Sequence, residues 1–155
     1  MSTSKEPCSE RTTTLVAEEA QHMLELALAY RIATHRVQSS ADVERLTAYE
    51  LTAGRLASSL EEAIGKPRCA CARTDKGWLE VGAITTERGV FEFMRTLEAR
   101  RSERLAWLAK VVGSSGELHP LLSRAACASE VRQAWLTERG KQRPTQRSPS
   151  LPAIA

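Results

Sequence analysis

The sequence predicts a mainly α-helical fold of about four to five helices, with a small β-hairpin in the middle. The alternative is an antiparallel four-helix bundle. Three observations carry this. Only six prolines and eight glycines occur in 155 residues, and several sit near the ends or in one central stretch. That leaves long runs free of helix breakers. Within those runs apolar residues recur at helical spacing, while the central stretch sets a polar turn between short apolar segments. Aromatic content is only 5%, so Leu, Val, Ile and Ala must fill the interior.

The length suits one domain with a real core. Residues 1–14 are Ser/Thr-rich with Pro7 and read as a disordered tail. Residues 15–139 read as a single helical domain, and residues 140–155 as a basic, Pro/Ser-rich tail. From Leu15 to Gln38 no Gly or Pro intervenes. Leu15, Val16, Met23, Leu26, Tyr30, Ala33 and Val37 share one helical face. Leu24, Leu28 and Ile32 form a second stripe on roughly the opposite side. A helix apolar on two sides packs against two things: its own domain and a partner subunit.

Ser39 and Ser40 break that helix and can cap the next. Leu46, Tyr49, Ala53, Leu56, Leu60 and Ala63 then follow an alternating three-and-four spacing. Residues 41–64 fit one long amphipathic helix. They equally fit two helices with a turn near Glu50–Thr52, where Thr52 is a competent N-cap. Gly65 and Pro67 end the helical region. Cys69 and Cys71 precede the polar turn Arg73-Thr-Asp-Lys-Gly77, which is followed by Trp78-Leu-Glu-Val81; this reads as the hairpin. Thr85 and Thr86 offer a cap for a helix over about Glu87–Val112. Its stripe is Val90, Met94, Leu97, Leu105, Leu108 and Val112, with Phe93 and Val111 at the margin. Arg101 falls inside that stripe, where it either snorkels out or meets an acid such as Glu19. A last helix is predicted over about Pro120–Glu138, burying Leu121, Ala128, Val131 and Trp135.

The element order in residues 40–89 resembles the winged helix-turn-helix of the multiple-antibiotic-resistance (MarR) type regulators. Ser40–Leu46 looks like the first helix of the pair, and Thr52–Ile64 like the recognition helix. Arg73–Val81 looks like the wing, and Ile84–Gly89 like the opening of a long helix. The resemblance implies a dimeric DNA-binding transcriptional regulator, held together through the first and last helices. Its partner would be double-stranded DNA. On that reading Thr52, Arg55, Ser58 and Ser59 enter the major groove, and Arg73 and Lys76 reach phosphate or the minor groove. The plainer reading makes all six solvated polar positions. Charge favours the plainer one. Net charge is −1 over residues 1–39, −1 over 40–89, +1 over 90–117 and +4 over 118–155, so the basic excess lies outside the module.

No catalytic or metal constellation stands out. Cys69-x-Cys71 lacks the second pair a structural zinc site uses, and reads as small core residues. Glu19-x-x-His22 has the spacing of di-iron bundles, but no second copy exists. Thr-Glu-Arg-Gly occurs twice, at 86–89 and 137–140. There is no nucleophile–base pair and no phosphate loop, so no enzyme and no cofactor is expected. With no signal-like or membrane-length apolar run, a cytoplasmic protein with reduced thiols is expected. The competing function is a non-enzymatic helical-bundle interaction or adaptor protein. It requires residues 41–64 to be one unbroken helix.

Overall fold

The computed structural model describes residues 9–65, 77–114 and 116–142. Five helices occupy them: α1 (Glu10–Thr34), α2 (Ser40–Ile64), α3 (Gly77–Ala83), α4 (Glu87–Val111) and α5 (Leu118–Lys141). Among the described residues there is no strand. The class is mainly α, in the form of the bundle alternative.

Local chemistry sets the helix ends. The Ser39 hydroxyl accepts from the Asp42 amide at the start of α2, and the Thr86 hydroxyl from the Gly89 amide at the start of α4. Gly65 closes α2 in the left-handed region at φ 65°, where a side chain is strained. α1 starts at Glu10, ahead of Leu15, because Ser9 caps it by accepting from the Thr12 amide.

Two antiparallel hairpins, α1/α2 and α4/α5, make the bundle. Glu98 meets Ser129 while Ser102 meets Ala126, so α4 and α5 run in opposite senses. Tyr30 meets Glu98 and Glu19 meets Arg101, so α1 and α4 do too. Asp42 meets Arg139 and Tyr49 meets Trp135, so α2 opposes α5. Every neighbouring pair of the four long helices is therefore antiparallel, while α2 and α4 point the same way. The connection between them must carry the chain back along the bundle. α3 forms part of that return, packing along α1 with Trp78 near Leu26 and Gly82 near Ile32.

The stripes read on α1, α2 and α4 are the core. Val16, Met23, Tyr30, Leu46, Leu60, Val90, Met94, Leu105 and Leu108 are each at most 1% exposed. Burying each such side chain contributes roughly 1.5–3 kcal/mol before ordering costs.

One open alternative is decided and two expectations are corrected. First, α2 does not bend between Glu50 and Thr52: Thr52 donates its hydroxyl to the Ala48 carbonyl at 3.0 Å instead of capping a new helix. The continuous apolar seam, buried at Leu46, Ala53, Ala57 and Leu60, outweighs the weak local preference for a turn. Second, the half of the wing that is described, Gly77–Val81, is helical. Trp78 and Val81 turn inward at i, i+3 while Leu79 and Glu80 are exposed, which a strand cannot do. The rest of the wing, Arg73–Lys76, lies outside the described residues, as do Cys69 and Cys71. Third, α5 is rotated from the expected face. It buries Leu118, Leu122, Ala126, Ser129, Arg132 and Leu136, leaving Ala128 exposed and Val131 69% exposed. Polar partners for Ser129 and Arg132 decide this.

Candidate functional site

Those partners form a node where four helices meet. Glu98 on α4 is fully buried. Its carboxylate accepts from Arg132 Nε at 2.6 Å and Nη2 at 3.5 Å, from Ser129 Oγ at 2.6 Å, and from the Tyr30 hydroxyl. Tyr30, Tyr49, Trp135 and Phe91 stack edge to face around it, with centroids 5.6, 5.6 and 5.7 Å apart in succession. They are four of the seven aromatic residues in the chain, one from each long helix. Arg132 lies over Tyr49, Arg45 over Trp135 and Arg139 over Phe91. Burial and the adjacent Glu98 push the Tyr30 phenol well above its ordinary range. Burial opposes the charge of Arg132, but contact with Glu98 holds its guanidinium above the usual range. The arrangement is a satisfied charge in a core, closed to any ligand.

A second cluster joins α1 to α4. Glu19, also fully buried, receives Arg101 Nη1 at 3.3 Å to both oxygens, with Arg104 Nε at 3.8 Å. Arg101, inside an apolar stripe, thus meets Glu19, one of the two outcomes expected for it. Burial raises the Glu19 carboxyl, and the two arginines only partly counter it. Beyond Arg101, the ring of His22 lies 3.7 Å from Glu25. Together with Trp78 these residues line a cavity of about 20 Å³, space for roughly one water. The Glu19-x-x-His22 spacing therefore faces arginine. No group of three or more His, Cys, Asp or Glu among the described residues is placed to hold a metal ion.

The third feature is open to solvent. A groove of about 630 Å³ runs between the start of α4 and the end of α5. Half-buried Ile84 and Phe93 give it an apolar surface, with buried Leu136 beneath. Arg88, Arg95 and Lys141 are exposed along it, with Glu92 the single acid among the described residues that line it. Arg88 is paired to Glu92 at 2.9 Å. Arg95 and Lys141 have no ion-pair partner among the described residues. Gly89 and Gly140 also line it, so backbone forms the wall at two points. These glycines end the two Thr-Glu-Arg-Gly copies, which the antiparallel α4/α5 pairing brings to the same end of the bundle. That repeat is the sequence signal for the groove. Its meaning needs the pairing.

The residues expected to contact DNA fall elsewhere. Thr52, Arg55 and Ser58 are exposed and Ser59 is half-buried, all on α2 away from the groove. Arg73 and Lys76 lie outside the described residues. Since residues 40–64 form one helix, the bend of a helix-turn-helix is not formed there. The stripe expected to face a partner subunit is partly used within the chain: Ile32 packs beside Gly82 of α3, while Leu28 stays 37% exposed and Leu51 on α2 is 55% exposed. No described helix is long and apolar enough to cross a membrane. Comparison with protein-family models, curated proteins and solved structures finds no match.

Proposed function

We propose that this protein is a non-enzymatic helical-bundle interaction module that holds a segment of another protein in the α4–α5 groove. One observation carries the reading: the groove combines apolar surface with the cations Arg95 and Lys141, which have no ion-pair partner among the described residues. Buried acids elsewhere in the bundle are used differently. Glu19, Glu98 and Asp42 are neutralised by Arg101 and Arg104, by Arg132 and by Arg139, so they hold helices together. Surfaces that mix apolar area with a charged rim are the usual anatomy of a protein interface.

The test is site-specific photo-crosslinking in extracts of the source cells. A photoreactive residue is placed at Thr96 or Thr137 in the groove, and at Arg55 on α2 as the control. Discrete protein adducts from the groove positions, absent from position 55, are expected. Adducts distributed equally over all three positions, or none from the groove, would reject the proposal.

A further inference from the structure

We infer that the segment held in this groove is an acidic amphipathic helix. The inference rests on the interaction reading above and adds the chemistry of the partner. Charge complementarity selects acid. Among the described residues three cations line the groove against one carboxylate, and Glu92 is already engaged by Arg88, so the charge left over there belongs to Arg95 and Lys141. Asp or Glu side chains flanking a bound segment would meet both. The chain's own residues beyond Gln142 do not fit, because they carry Arg143 and Arg147 and no acid.

Shape and polarity select a helix over other anions. The volume, about 630 Å³, lies in the range of small-molecule pockets, but such pockets bury most of their ligand, and this one is more open than enclosed. A nucleic-acid backbone would gain nothing from Phe93 and Ile84, because its binding comes from phosphate charge. An amphipathic helix uses both halves of the surface. Its apolar stripe lies on Phe93 and Ile84, and its acidic flanks reach the cations.

The experiment is selection from a display library of helical peptides against the full chain. Each peptide has a fixed apolar stripe at i, i+3, i+4 and i+7 and randomised flanks. Enrichment of Asp and Glu in the flanks is expected. The selected peptide should bind with a steep dependence on salt. It should lose at least about tenfold in affinity to the Arg95→Glu/Lys141→Glu variant. Both residues are exposed, and circular dichroism checks that the variant is folded. The charge-neutral Arg95→Gln/Lys141→Gln pair, with a smaller loss, serves if it is not. Enrichment of neutral or basic flanks overturns the inference, as does enrichment of nothing, or binding indifferent to both variants. Tighter binding of a short DNA duplex through the same two residues also overturns it. If groove crosslinks to protein are found but acidic peptides are not selected, the partner chemistry fails and the interaction reading stands.

Discussion

Arg132→Met strips the Glu98 carboxylate of its guanidinium and leaves the rest of the node in place. Glu98 then sits fully buried with only the Tyr30 and Ser129 hydroxyls to stabilise its charge. Two charge-assisted bonds, at 2.6 and 3.5 Å, are lost. Removing one partner of a buried pair costs about 3–5 kcal/mol. A domain of this size has about 5–15 kcal/mol in total, so roughly a fifth or more of its stability is at stake. The corresponding drop in melting temperature is roughly 6–20 °C. Urea titration followed by helical circular dichroism measures it. The informative comparison is the double variant Glu98→Leu/Arg132→Met. With both charges gone no unpaired charge remains; the Tyr30 hydroxyl loses its acceptor while Ser129 keeps the backbone carbonyl of residue 98, and well-packed apolar replacements of such pairs are neutral or stabilising. The double variant should therefore be more stable than Arg132→Met alone. A single variant losing under about 1 kcal/mol would refute the argument. So would a double variant at the sum of the two single losses, because either means that Glu98 and Arg132 are not coupled.

Tyrosine ionisation should be suppressed in the native protein. Tyr30 and Tyr49 are the only two tyrosines and both are raised, chiefly by burial. Their contribution to stability is complete below the ordinary value of 10.0 and is lost as pH rises through the folded values. Ultraviolet titration should show tyrosinate only as helicity collapses, and a tyrosine ionising reversibly near pH 10 in folded protein would contradict this. The Glu19 carboxyl is likewise raised by burial, so its stabilisation is complete below 4.5 and fades as pH rises through the folded value. The stability of the wild type minus that of Glu19→Gln should fall across that window; a difference that grows would mean Arg101 and Arg104 outweigh burial. The glycines should divide by their space. A Cβ added at Gly54 in α2 would meet nothing within 4 Å, so Gly54→Ala should stabilise by about 0.5–1 kcal/mol. At Gly89 a Cβ would lie 2.8 Å from both Ile84 Cγ2 and Thr86 Oγ1, so Gly89→Ala should lower the melting temperature despite better helix propensity. Thermal unfolding of the two variants beside the wild type checks both signs.

Much of the bundle is legible in the sequence because its apolar stripes obey helical spacing. Val16 to Val37, Leu46 to Ala63 and Val90 to Leu108 follow it, and Ser39, Thr86 and Gly65 sit where caps belong. The failures have physical causes. Ser129 and Arg132 look like surface residues until Glu98 is known to face them, so the pattern alone turns α5 toward Ala128 and Val131. Trp78-Leu-Glu-Val81 is too short to separate alternation from i, i+3 spacing, and packing on α1 decides for helix. Thr52 and Gly54 are poor helix formers in the middle of α2. The seam beneath them, buried on α1, overrides that preference. The groove depends on residues far apart in the chain, from Ile84 to Lys141. No local pattern shows that they meet.

The node also dictates an order of events in folding. Within the α4/α5 hairpin the contacts at Ser102, Ser129 and Arg132 span 24 to 34 residues. The contacts that lock one hairpin to the other span 68 residues at Tyr30–Glu98 and 97 at Asp42–Arg139. Short loops close at lower entropy cost. Each hairpin should therefore be organised in the rate-limiting barrier before the node is made. Disturbing the node, as in Tyr30→Phe, should leave the refolding rate almost untouched and quicken unfolding. The buried charge would then act mainly as a latch on the lifetime of the assembled bundle, and contribute little to the speed with which it is found.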